Sequence, residues 1–227
     1  MGLYNKFVLP KAIHWACSQK PNRLQRKKII PLATGKVLEI GIGSGLNLPY
    51  YTKKIKSLIA IDPSEDLWKK NNLNTENLPF NFEFIKAQAE NIPLANNSFD
   101  TVVITYVMCT IPDLEKAFSE IKRVLKPTGK LLFCEHGKAP EKGIQKYQNI
   151  INPFWKRIGG GCNLNRDIPT LIENNGFIIE KLETMYIPGW KPASFNYWGI
   201  AKTKKLIKIF LILFQSYYYF YLHQPLT

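Results

Sequence analysis

The stretch KVLEIGIGSG, residues 36–45, decides the fold. Its first five residues suit a buried strand, and they run without a break into glycines at alternate positions, Gly41, Gly43 and Gly45. Glycine lets the chain turn tightly and lets a ligand approach the backbone with no Cβ between them. The spacing is G-x-G-x-G. It departs from the G-x-G-x-x-G of loops that seat a dinucleotide pyrophosphate on a helix N-terminus, which argues against a nicotinamide cofactor. Glu39 lies two residues before the first of these glycines, placed to attract a ligand ammonium directly or through water.

Outward from this stretch, the pattern of strand, turn and helix repeats. Apolar runs at 57–61, 82–85, 101–105 and 130–135 read as further strands, and a helix is expected to follow the glycine turn. A helix is predicted over 114–125, ahead of the breaker Pro127-Thr128-Gly129. Another is predicted over 168–175, capped by Gly176, with two more strands at 177–182 and 194–202. Such alternation predicts an α/β fold: a Rossmann-like, seven-stranded, mainly parallel sheet with helices on both faces. Residues 1–35 read as a helical N-terminal segment, with Ile13, Ala16 and Cys17 at helical spacing, a break at Pro21 and a basic helix over 22–30. Residues 36–202 form the main domain, and 203–227 a basic and apolar tail.

The chain of 227 residues is long enough for one such domain, and its 45% hydrophobic content excludes disorder as the default. The net charge of +14 is unevenly placed. Residues 1–38 hold eight Lys or Arg and no acid, and 184–227 hold five Lys and no acid, whereas the middle holds eighteen basic and seventeen acidic residues. A nucleic-acid-binding domain spreads its charge over a broad face, so a nucleic-acid partner is disfavoured. Basic, aromatic-rich ends fit an anionic membrane surface instead. The apolar run 209–214 falls short of the roughly 20 residues of a spanning helix. No signal peptide is visible, and the expected location is cytoplasmic, peripheral on the inner face of a membrane. Cys17, Cys109, Cys134 and Cys162 form no C-x-x-C pair, so no metal site is expected and the thiols are read as reduced.

Asp62 ends the second strand, where a carboxylate can accept both hydroxyls of a ribose. After the third strand come Ala89-Glu90-Asn91-Ile92-Pro93-Leu94 and then Ser98-Phe99-Asp100. "VLEIGIGSG", "IDPS", "AENIPLANNSFD" and "EIKRVLKPTGKLLF" occur in order, spanning residues 37–133. Together they resemble the methyltransferase type 11 branch of the class I S-adenosylmethionine (SAM)-dependent methyltransferases. The resemblance implies SAM as cofactor, held by Glu39, Gly41, Gly43, Gly45 and Asp62. It also implies that Ala89 and Glu90 lie at the adenine and that Tyr106 lines the pocket. "CEHG", "NPFWKRIGGGCNLNRD" and "NNGF" narrow the resemblance to the thiol-methyltransferase-like group and its bacterial members, over residues 5–202. A small lipophilic thiol is the acceptor so implied.

Residues beyond the carboxyl ends of strands four and five face the acceptor in such sheets. They include Tyr106, Met108, Cys109, Glu135 and His136. His136 is the candidate base, although a satisfied structural histidine fits its position too. The loop 159–166 is a candidate cover over the acceptor or a simple connection between helices. Cys162 reads as a small packed residue. A phospholipid or other lipid acceptor is the alternative. Less favoured are nucleic-acid methylation, since the fourth strand lacks an Asp/Asn-Pro-Pro-aromatic sequence, and SAM binding without catalysis.

Overall fold

A computed structural model describes residues 4–69 and 75–204. A π-turn at Tyr4–Val8 leads into α1 (Leu9–Ser18) and α2 (Lys20–Ile29). Pro21 separates them as expected, because it sits in the first turn of α2, where a missing N–H breaks no helical bond.

Seven strands follow: β1 (Gly35–Ile40), β2 (Ile55–Asp62), β3 (Asn81–Lys86), β4 (Phe99–Thr105), β5 (Leu125–His136), β6 (Phe177–Tyr186) and β7 (Phe195–Thr203). They form one sheet in the order β3-β2-β1-β4-β5-β7-β6. The pairs from β3 to β5 are parallel, and β7 is antiparallel to both β5 and β6. This is the expected architecture. Among the described residues five α-helices join these strands: α3 (Glu65–Trp68), α4 (Leu114–Val124), α5 (Lys142–Ile158), α6 (Ile168–Asn174) and α7 (Lys191–Ser194).

α4 shows why the pattern was readable. Asp113 caps it by accepting from Lys116 N at 3.0 Å, and Lys122 and Arg123 complement its C-terminal dipole. Ala117, Phe118, Ile121 and Val124 make one apolar face, buried against Leu38, Ile104 and Phe133 of the sheet. α6 packs Ile168 and Ile172 into the same core. The other face of the sheet, with Val37, Leu58, Val103, Leu132 and Trp198, is covered by Ile29 and Ile30 at the end of α2 and by Leu48. Both isoleucines are fully buried, which contributes about 1.5–3 kcal/mol each.

Three local expectations are corrected. No α-helix follows the glycine loop: the chain passes through a 3-10 turn at Leu48–Tyr50, where Pro49 offers no N–H to continue a helix. The breaker at 127–129 does not precede β5 but interrupts its register, which jumps from Phe99–Leu125 to Thr101–Lys130. The long helix α5 had no counterpart in the reading. Its apolar residues Tyr147, Ile150 and Phe154 are exposed, Ile150 at 76%, so their spacing did not mark a buried face. Among the described residues no helix is long and apolar enough to cross a membrane. The apolar and aromatic part of the expected tail, residues 205–227, lies outside the described residues.

Candidate functional site

The chain runs from β1 outward to β3, then returns to place β4 on the other side of β1. Ligand crevices form at such reversals, beyond the carboxyl ends of the strands. The glycine loop leaves β1 there. Gly41 has φ +72°, and a Cβ on it would lie 2.3 Å from Val107 Cγ2. Gly43 has φ +54°, and a Cβ on it would meet nothing within 4 Å, so the backbone here borders open space. Gly45 closes the turn, donating from its N–H to Ile42 O at 3.0 Å.

Asp62 ties this loop to β2. Its Oδ2 accepts from Gly43 N at 3.0 Å and its Oδ1 from Ser64 N at 2.8 Å. Burial pushes its carboxyl above the ordinary range, and those two N–H groups oppose the rise. Each oxygen retains lone-pair capacity toward the crevice.

A cavity of about 390 Å³ fills the crevice. Of the residues expected at the cofactor, Gly41, Gly43, Asp62, Ala89, Glu90 and Tyr106 line it. Gly45 and Glu39 do not. Glu39 is buried beneath the loop, accepting from Asn47 Nδ2 at 2.9 Å and from the Tyr51 hydroxyl at 2.7 Å. Burial raises its carboxyl to about 7 against the pull of both donors. Asn47, which the sequence reading missed, is the group it presents to the cavity. Asn47 also donates to Thr105 Oγ1 at 2.9 Å, while its buried Oδ1 has no partner.

The N-terminal helices complete the wall, which sequence patterns gave no sign of. Ile13, His14 and Cys17 of α1 and Arg26 of α2 line the cavity. His14 Nδ1 lies 2.7 Å from Ser44 Oγ in the glycine loop. Arg26 is 3% exposed, donates to Cys17 O at 2.6 Å and stacks over the Tyr106 ring. Tyr106 itself holds φ +57°, an uncommon conformation for a side-chain-bearing residue. Its hydroxyl donates to Asn196 Oδ1 at 2.8 Å, and its N–H to Cys134 O.

Glu135 fixes the chain after Tyr106. Its Oε1 accepts from Val107 N at 2.8 Å and Met108 N at 3.0 Å, while its Oε2 is buried without a partner. Burial raises this carboxyl from 4.5 to about 7, opposed by the two backbone donors. A carboxyl raised in the folded state stays protonated while its unfolded counterpart ionises. Folding stability therefore falls as pH rises from about 4.5 to about 7. Glu135→Gln should remove that part of the slope and leave the variant more stable above pH 7, by about 3 kcal/mol at most. Thermal melts across this range check it, and equal slopes in the two proteins would refute it.

His136 does not line the cavity. Its Nε2 lies 3.3 Å from Cys162 Sγ, and its buried Nδ1 has no partner. The loop 159–166 packs onto the chain after β4. Asn163 Nδ2 donates to Cys109 O at 2.9 Å, and Arg166 donates to Met108 O and Ile111 O. Gly160 of this loop reaches the cavity wall.

Comparisons with known proteins place this geometry. The family described as "Methyltransferase domain" matches residues 38–133. A SAM-dependent methyltransferase from Aquifex aeolicus shares the fold, with a TM-score of 0.57 and 20% identity over 84% of this chain and 97% of that one. The fold and the cavity thus define a class I SAM-dependent methyltransferase. Within that class, human thiol S-methyltransferase TMT1B is 33% identical over 86% of this chain and 82% of its own length. The rat protein of the same name is 37% identical over 71% of this chain, and the match spans just under two thirds of its length, 65%. The chain belongs to the SAM-dependent methyltransferase family that includes these thiol S-methyltransferases.

Proposed function

We propose that the protein transfers the methyl group of SAM to a small, lipophilic thiol. What supports the reading is the cavity, where an open glycine loop, the Asp62 carboxylate and the orphaned Asn47 Oδ1 meet, together with the likeness to proteins named thiol S-methyltransferases. SAM supplies a methyl group already activated on a sulfonium. Asp62 would accept the ribose hydroxyls, and the wall at Ala89 and Glu90 would meet the adenine. The ammonium of the amino-acid end would satisfy Asn47 Oδ1, which Glu39 orients from below. Arg26, a buried cation on the same wall, would meet the carboxylate of that end.

The chain's remaining task is to free the thiol of its proton and exclude water. An ordinary thiol has a pKa of about 8.5, so a base helps near neutrality. The base so assigned is His136, which stands behind the cavity wall, its Nε2 facing Cys162 of the loop whose Gly160 reaches the cavity. Burial lowers the affinity of this imidazole for a proton, but Cys162 and Glu135 beside it together outweigh burial and raise the group overall. The thiolate so formed would be the nucleophile toward the methyl group that SAM supplies, and the proton would rest on His136. Alignment and desolvation supply the rest.

Methylation of alkyl thiols with labelled SAM tests the acceptor. Activity on phospholipid amines with none on any thiol would replace it with the lipid reading. For the base, His136→Gln should lower kcat by about 100-fold and erase the His-dependent limb of the pH–rate profile. Coincident profiles would make His136 a positioning residue for Cys162.

A further inference from the structure

Cys109, His136 and Cys162 are far apart in sequence, and no pairwise motif joins them. The fold brings them together from three segments: the turn after β4, the last residue of β5 and the loop after α5. One ligating atom from each, Sγ, Nε2 and Sγ, lies within 4.8 Å of both others. We propose that these three side chains form a binding site for a thiophilic divalent cation of the zinc type.

The separations suit it. Zinc takes thiolate sulfur at about 2.3 Å and imidazole nitrogen at about 2.0–2.1 Å, four-coordinate and tetrahedral. Ligand atoms on such a centre stand roughly 3.5–3.8 Å apart. The 3.3 Å between His136 Nε2 and Cys162 Sγ is already close to that spacing. The charges balance as well. Cation binding expels one proton from each thiol, so two thiolates neutralise a dication and no net charge is left in a partly desolvated site.

The cluster is held from outside by bonds that do not use its ligand atoms. Asn163 N and Nδ2 both donate to Cys109 O at 2.9 Å, which pins the loop bearing Cys162 to the segment bearing Cys109. Cys162 N donates to Gly159 O at 3.2 Å, and β5 fixes His136 by pairing it with Asn196 of β7. Three ligands leave the fourth position of a tetrahedral centre to water or another small ligand. The inference stands apart from the acceptor assignment, since it needs only these three side chains. Ligation would take up the Nε2 lone pair, so His136 serves as base in the metal-free protein and as ligand in the loaded one.

The test uses the full-length protein, kept reduced and stripped by a chelator. Zinc is titrated against a chromophoric competitor, and cobalt(II) is titrated by absorption. The expected results are one equivalent bound and, with cobalt, a thiolate-to-metal charge-transfer band with the intense visible bands of tetrahedral coordination. Cys162→Ser and His136→Gln should each weaken binding by at least about tenfold, and Cys17→Ser should not. If Cys109→Ser fails to fold, the other two variants and the wild type still decide. Absence of stoichiometric binding by the reduced wild type overturns the proposal. So does binding that persists unchanged in Cys162→Ser and His136→Gln.

Discussion

Asp62→Ala should reduce SAM affinity by about 100-fold or more while leaving the protein folded. Two effects add. With Asp62 as the proposed ribose acceptor, the hydroxyls lose their partner, at about 1–3 kcal/mol for each hydrogen bond whose partner is left buried. The glycine loop also loses its tether, because Gly43 N and Ser64 N both donate to this carboxylate. A loss of about 3 kcal/mol corresponds to roughly two orders of magnitude in affinity. Gly43 offers an independent check. A side chain there would meet no protein atom within 4 Å and would project into the space assigned to the cofactor. Its φ of +54° suits Asn best among side-chain-bearing residues. Gly43→Asn should therefore fold and bind SAM poorly. Calorimetry on both variants, with melting curves as the folding control, decides the matter. Wild-type affinity in folded Asp62→Ala would remove the ribose assignment.

The largest expected effect on stability comes from a residue remote from the cofactor loop. Gln148 is fully buried in α5. The two protons on its Nε2 are shared among Gly137 O at 3.0 Å, Leu164 O at 2.9 Å and Pro192 O at 2.8 Å, and its Oε1 accepts from Ala139 N at 3.0 Å. One amide thus satisfies backbone groups after β5, before α6 and before β7. Leucine is of similar size and meets none of them. Gln148→Leu would leave three carbonyls and one N–H buried without partners, and should cost about 4 kcal/mol or more. That is a large part of the 5–15 kcal/mol typical of a whole domain. Urea unfolding measures it, and a loss under about 1 kcal/mol would show that the segments satisfy one another by another route.

What the sequence reveals and what it hides divide along the range of the interactions. β1, the glycine turn and Asp62 are legible because each is a local pattern: an apolar run, positive-φ glycines and a carboxylate at a strand end. α4 is legible for the same reason, through its cap and its buried stripe. α5 is hidden because its most apolar residues face outward while a glutamine faces in. The roles of Asn47, Arg26 and His14 in the cavity are hidden too, since each depends on where a helix or turn lands on the sheet. Glu39 was read as a ligand for the cofactor, and its oxygens are engaged by Asn47 and Tyr51 instead. The meeting of Cys109, His136 and Cys162 has no signature at all in spacing, because two strand ends and the loop after a helix produce it.

The position of β7 has a consequence for how the molecule is made. It is the last strand of the sheet to leave the ribosome, yet it sits inside the sheet, between β5 and β6. β6 is synthesised earlier and has no other neighbour among the described residues, so Phe177–Tyr186 waits for its partner until Phe195–Thr203 emerges. Over the same interval the edge of β5 from Leu131 to His136 stays open. Unsatisfied edges of this kind are where nascent chains pair wrongly, and pairing over long sequence separations is slow. The final strand also brings Asn196, the acceptor for the Tyr106 hydroxyl. The wall of the cavity is therefore finished by nearly the last described residues to be translated, and a chain released before them has a glycine loop but no complete site to serve.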